Sequence, residues 1–361
     1  MLKRHILILA LTATNVIAKA QLVEVKSFGH NQPIGVAVAP DNNRLFVSFP
    51  HHQPFEFALA EIVDGKKYAY PNEEWNEYKP GEPKNHFMNV QALYADEKNC
   101  LWILDSAPKG SVQLTSESNN SVGYFKLIKI DLKSDQIIAV YTFDDLPKDK
   151  SALNDVTIDN LRGMAYLSDP GLKALVVLDL VSRKSRVVLK DDKSMLVTPG
   201  YTLRIDGVDV ADSTGNAFVS NVNGIALTRD YNWLYYRAIN QTKLYRLPVQ
   251  LLADARYNDY ELSQHIETVA ETGVSHGMVA DYKGNIFLSN SEQHSIQYVS
   301  PDKKVHTLVT DPQIIWPDSF AVGADGYLYF TCSQINRLPK YNFGKDKTDY
   351  PYLLFKVKLP K

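Results

Sequence analysis

Five polar residues recur at one position of an internal repeat: Asn89, Asn154, Asn223, His276 and Asp318, with Ile34 in the remaining copy. Amides, an imidazole and a carboxylate can orient a small polar molecule, pair with an amine or ligate a cation, provided they face one another. Imidazole titrates near neutral pH, so His276 is a candidate general acid or base, and Asp155, beside Asn154, is a candidate carboxylate for the same chemistry. The same residue types also hydrogen-bond backbone at strand starts with no ligand present. The choice between the two readings depends on whether the chain brings the five together.

The repeat that defines the position is a polar residue, an alternating apolar strand such as Val36-Ala37-Val38 or Ile225-Ala226-Leu227, a turn, and a second strand built on an aromatic. Its copies align on the turn aspartates Asp41, Asp96, Asp159, Asp230, Asp281 and Asp325. The aromatics Phe46, Trp102, Tyr166, Tyr235, Phe287 and Tyr329 stand 56, 64, 69, 52 and 42 residues apart. Period-two alternation marks strands rather than helices. A small antiparallel sheet cannot bury both faces alone, so repeats of about 40 to 50 residues stack radially. The sequence therefore predicts an all-β fold, a six-bladed β-propeller forming one domain over residues 21–361. The residue that opens each innermost strand then lies at the mouth of the central channel, where the five polar groups meet. Alternating segments at both ends, residues 22–25 and 353–359, predict a shared blade that closes the ring and removes exposed edges.

Residues 1–20 read as a secretory leader cut after Ala20: Lys3, Arg4 and His5, an apolar stretch too short to span a bilayer, then Ala18-Lys19-Ala20. The expectation is a secreted or periplasmic protein. The whole chain carries 39 basic and 41 acidic residues, and loss of Lys3, Arg4 and Lys19 takes the net charge from −2 to −5. Nothing in that balance favours nucleic acid or an anionic membrane as partner. Cys100 and Cys332 fall in copies two and six, which are not neighbours in a six-blade ring, so both are expected buried and unpaired. Residues 49–87 read as a long Pro-containing insertion across one face, residues 107–122 as a mobile loop, and Pro248 to Ala255 as a short helix.

A calcium ion wants six to eight oxygens with several carboxylates. The candidate metal set, Asn154, Asn223 and Asp318, offers one carboxylate, and His276 suits zinc or copper better. No Gly-x-Ser-x-Gly elbow, His-Glu-x-x-His pair or phosphate loop occurs. Asn119-Asn120-Ser121 and Asn240-Gln241-Thr242 match the glycosylation tripeptide, which matters only in a eukaryotic host.

Several ordered blocks carry a family likeness. Val90-Gln91 with Leu101-Trp102-Ile103-Leu104-Asp105, Ala165-Tyr166-Leu167-Ser168-Asp169, Leu234-Tyr235-Tyr236 with Leu244-Tyr245-Arg246-Leu247-Pro248, and Trp316-Pro317-Asp318 with Asp325-Gly326-Tyr327-Leu328-Tyr329 closely resemble the major royal jelly protein and yellow protein family over residues 22–360. The resemblance implies a secreted six-bladed propeller, and the simple leader and loops suit a bacterial relative. It also implies a range of functions, from dopachrome conversion to binding of biogenic amines in the channel. A wider likeness links Asn154-Asp155 and Asn223-Gly224 to calcium-dependent lactonases of the gluconolactonase and regucalcin type. Ile34 stands where their glutamate ligand is expected, and His276-Gly277 replaces their Asp-Gly.

Three functions follow as expectations. The first is binding, with isomerisation or conversion, of a small polar or aromatic amine- or catechol-like molecule by Asn89, Asn154, Asn223, His276 and Asp318. The second is calcium-dependent lactone hydrolysis, with His276 or Asp155 activating water. The third is non-catalytic docking of a protein partner on the face bearing residues 49–87.

Overall fold

The computed structural model describes residues 21–51, 54–110 and 122–360. The expected leader, most of the 107–122 loop and the Asn119 tripeptide lie outside the described residues. Six four-stranded antiparallel sheets form the blades of a propeller. From the axis outward, blade 1 is Val36–Val38, Leu45–Ser48, Leu59–Val63 and Lys66–Ala69; blade 2 is Val90–Ala95, Cys100–Ala107, Tyr124–Asp131 and Gln136–Tyr141. Blade 3 is Val156–Asp159, Met164–Asp169, Ala174–Asp179 and Ser185–Val188; blade 4 is Val222–Leu227, Trp233–Ala238, Lys243–Pro248 and Glu267–Glu271. Blade 5 is Met278–Ala280, Ile286–Asn290, Ser295–Val299 and Val305–Thr310. Blade 6 takes Pro317–Val322, Tyr327–Cys332 and Leu353–Lys358 from the end of the chain, and its outermost strand, Leu22–Ser27, from the beginning. That last pairing runs from Leu22 opposite Val357 to Ser27 opposite Leu353 and shuts the ring as expected.

Alternation along each strand divides the core into wedges between blades. In blade 3, Leu167 packs toward blade 2 with Trp102 and Leu104, while its neighbour Tyr166 packs toward blade 4 with Leu234 and Tyr236. Each large side chain buried this way contributes roughly 1.5–3 kcal/mol. The pairing of turn aspartate and aromatic has a local cause: Asp96 accepts the Trp102 indole N–H at 2.8 Å, and Asp325 accepts the Tyr329 hydroxyl at 2.7 Å. Cys100 and Cys332 are buried and free. No helix among the described residues is long and apolar enough to cross a membrane.

Residues 49–87 are not a simple insertion. They include the two outer strands of blade 1 and a short helix, Glu73–Asn76. Outer strands are half-exposed, so charged Glu61, Lys66 and Lys67 stand where the fully buried inner strands carry apolar runs. The remainder, residues 77–88, is pinned by a fully buried ion pair: Lys126 Nζ lies 2.7 Å from Asp105 Oδ2 and donates to the Pro83 and His86 carbonyls at 2.5 Å. The helix after blade 4's third strand, Val249–Ala253, falls where it was expected. Asn240 is buried, with its amide bonded to Ser220 N and Phe218 O, so the folded chain does not offer it to a glycosyl carrier.

Two outcomes follow from these contacts. A chain trimmed after Tyr350 loses the strand between the two ends of blade 6 and should show no cooperative thermal transition by circular dichroism; retention of the parent melting temperature would contradict ring closure. Lys126→Met strands a buried carboxylate and should lower unfolding free energy by about 3–5 kcal/mol in denaturant titrations.

Candidate functional site

The six inner strands pack side by side around the axis, each against its two neighbours. Their leading residues gather at one end of the channel and their turns at the other. At the leading end the strands are irregular in three blades: the register skips between Val90 and Ala92, between Val222 and Ile225, and between Pro317 and Phe320. A bulge leaves residues unpaired and re-aims their side chains. Here it frees Gln91, Asn223 and Asp318 from the ladder.

These three, with Asn154, Asp155 and His276, line a cavity of about 50 Å³ on the axis. Leu93, Leu227, Met278 and Phe320 form its apolar wall, and Tyr94 and Arg229 lie toward the turn end. Four of the five expected residues thus converge, together with Asp155. Asn89 does not join them: its amide donates to Ser106 O at 2.8 Å and accepts from His51 N at 3.1 Å. The bulge in blade 2 puts Gln91 on the axis in its place. Ile34 is buried in the apolar core.

Asp155 and Asp318 keep part of their surface, but that surface faces the cavity rather than bulk water. Desolvation pushes both carboxyls up to about 7. Two backbone N–H groups, Val156 to Oδ1 at 2.9 Å and Ile225 to Oδ2 at 3.1 Å, oppose the shift at Asp155. At Asp318 the Trp316 indole N–H, 3.1 Å from Oδ2, opposes it, and the charge of Asp155 adds to it. Among the described residues neither acid has an ion-pair partner.

His276 is 2% exposed, and neither ring nitrogen has a hydrogen-bond partner. Its ring stacks on Trp316 at 3.9 Å between centroids with 18° between planes. Burial, helped by the nearby Arg237 guanidinium, lowers its pKa to about 3, so it is neutral at physiological pH. Arg237 occupies the second-strand position where Ser48, Ser168, Ser289 and Thr331 stand in other blades. It is fully buried and donates to Gly273 O at 2.8 Å and to Thr272 Oγ1 and Gln241 O. Trp316 in turn lies under an apolar cap of Leu203, Ile205, Val210, Ile239 and Val274, edged by Phe218 and Tyr341.

The donor set does not suit calcium. Among the described residues no three His, Cys, Asp or Glu side chains stand close enough to hold a metal ion. Asp155 and Asp318 supply only two carboxylates, and Asp155 already accepts two backbone N–H groups. Arg229 and Trp316 carried no signal in the repeat, because one sits among polar turn residues and the other just ahead of the aligned position.

Fold and site define a six-bladed propeller with an acidic, partly apolar axial cavity. A profile of the major royal jelly protein family matches residues 88–361, and the chain belongs to that family. A yellow-related salivary protein of Lutzomyia longipalpis is 28% identical over 173 residues, covering 43% of this chain and 41% of that protein. The chain therefore matches only about two fifths of that relative's length. Among solved structures, a gluconolactonase of Xanthomonas campestris superposes with a TM-score of 0.56 at 12% identity, over 95% of this chain and 91% of that one. A calcium-binding protein, regucalcin, of Agrobacterium tumefaciens gives 0.53 at 15% identity, over 93% and 96%. At such identities these structures show the shared fold alone.

The raised carboxyls make a signed prediction. An unfolded aspartate titrates near 3.9, so between about pH 4 and 7 the folded chain holds protons the unfolded chain has released, and these groups' contribution to stability falls as pH rises. Asp318→Asn mimics the protonated acid. Its stability relative to the parent, from urea unfolding, should increase between pH 5 and pH 8; a constant difference would mean that Asp318 is ionised throughout.

Proposed function

We propose that the channel binds a small organic amine, seating the ammonium group between Asp155 and Asp318. One observation carries the reading: two desolvated carboxyl groups converge, and among the described residues neither has an ion-pair partner. A ligand ammonium would relieve the penalty on both acids, with the Asn154 and Asn223 amides and an unprotonated His276 nitrogen as further polar contacts. The apolar wall from Leu93 to Phe320 would take the carbon body, and an aromatic ring would pack there. The yellow-type family resemblance to amine-binding members agrees with this chemistry.

If the bound molecule is converted, Asp318 is the group suited to moving a proton near neutral pH, because its pKa lies there. His276 would accept a hydrogen bond rather than store a proton, and Asp155 is committed to backbone. The expected leader at residues 1–20 would deliver the protein to the periplasm or the cell exterior.

Binding of phenethylamine, followed by calorimetry and by tryptophan fluorescence, tests the proposal. Because the amine stays protonated while the acids ionise, affinity should rise about tenfold between pH 6 and pH 8, with one carboxyl of pKa near 7 as the competing proton site. Asp318→Asn should abolish most of the affinity. Absence of binding at either pH, or binding indifferent to both pH and Asp318→Asn, would overturn the assignment.

A further inference from the structure

We infer that the ligand of this channel carries an anionic group at the end remote from its ammonium, and that Arg229 at the turn-side mouth recognises it. The inference rests on the amine reading above. Arg229 stands two residues beyond the inner strand Val222–Leu227, whose leading end carries Asn223. It lines the axial cavity and also the adjoining groove at the turn end.

The state of its side chain sets Arg229 apart. Arg44, Arg162, Arg246 and Arg256 each pair with a carboxylate, and Arg183, Arg186 and Arg237 donate to backbone carbonyls. Half-buried Arg229 has neither kind of partner among the described residues; its guanidinium lies over the Tyr282 ring at 5.0 Å. The adjacent Asp230 does not serve it, since that carboxylate accepts from Thr228 Oγ1 at 2.6 Å and Asn232 Nδ2 at 2.7 Å. A planar cation with free donors, steadied on an aromatic face, is suited to a carboxylate, sulfonate or phosphate oxygen pair.

Geometry limits the ligand further. Trp316 and its apolar cap lie against His276 at the leading end, and Arg229 lines both the axial cavity and the groove that adjoins it at the turn end. The strand from Asn223 to Leu227 spans about 13 Å of backbone, and Arg229 stands in the turn beyond it, its long side chain able to lie back along part of that length. An α-amino acid, whose charges sit on one carbon, cannot reach both. An amine separated from its acid by a ring or several bonds can.

Calorimetry at pH 8 and low salt would compare phenethylamine with 4-(2-aminoethyl)benzenesulfonate and its longer 4-aminobutyl homologue. At least one sulfonate should bind about tenfold more tightly than phenethylamine, the worth of one charge-assisted hydrogen-bonded contact. Arg229→Gln should bring that ratio close to one, Arg229→Lys should retain part of it, and Asp318→Asn should weaken all probes. Equal affinities in the parent, or a preference that survives Arg229→Gln, would overturn the role of Arg229 while leaving amine binding in place. If none of the probes binds the parent, the amine reading fails and this inference falls with it.

Discussion

Six strands crowded around one axis bring the second leading residue of each strand close to its neighbour. The residue after the axial position points at the next blade's inner strand, and in three blades it is glycine. A Cβ on Gly277 would come within 2.0 Å of the Asp318 carbonyl oxygen, one on Gly224 within 2.8 Å of the His276 oxygen, and one on Gly35 within 3.2 Å of the Gln91 oxygen. Where a side chain is present at this position in blades 3 and 6, it is short and bonds the neighbour. Asp155 accepts Ile225 N at 3.1 Å and Ser319 Oγ accepts Val36 N at 3.1 Å. Second-strand hydroxyls repeat the device, Ser168 donating to Asn223 O at 2.5 Å and Thr331 to Ile34 O at 2.6 Å. In blades 4 and 5 that close approach directs the preceding side chains, Asn223 and His276, into the channel.

The same crowding explains why the site is electrostatically costly. Asp155 serves as a staple between blades 3 and 4, yet it sits close enough to Asp318 for each to disfavour the other's charge. Inter-blade wedges of Trp102, Tyr166, Phe287 and Phe330 supply apolar burial far larger than the penalty of two desolvated acids, so the ring tolerates them. An unsatisfied imidazole and two acids with no counter-charge amount to unspent polar capacity at the one place where all the blades meet.

Much of this was legible in the sequence, because inner strands are buried on both faces and read as short apolar runs between fixed turn residues. Ring closure was equally plain, since residues 22–25 and 353–359 have no other partners for their alternating pattern. Outer strands of blade 1 were hidden by Glu61, Lys66 and Lys67, charges that break the apolar pattern; Lys66 faces water, while Glu61 and Lys67 are mostly covered and paired with Arg44 and Glu56. The aligned residue lines the cavity in blades 3 to 6, and in blade 2 Gln91, two residues later, takes the place of Asn89. A bulge at Val90 to Ala92 changes which side chain reaches the axis, and a repeat alignment made on turn aspartates cannot register it. Arg229 escaped notice for a related reason: a charge beside a turn reads as solvent-facing, and only the ring brings it over the channel.

Blade 4 breaks the hydroxyl pattern with Arg237, and the consequence reaches the acids through His276. A protonated imidazole beside Asp318 would be an internal counter-ion, satisfying the carboxylate and filling the role that a ligand ammonium would otherwise take. Desolvation first, and the fixed charge of Arg237 second, keep that proton off the ring. Arg237 itself is held by carbonyls and a hydroxyl rather than by a carboxylate, so its positive charge is not cancelled locally. Stacking on Trp316 holds the neutral ring in place, and the same indole donates to Asp318. The arrangement thus leaves the pair of acids without an ion-pair partner among the described residues, and that lack, more than any single contact, is what supports the proposed amine site.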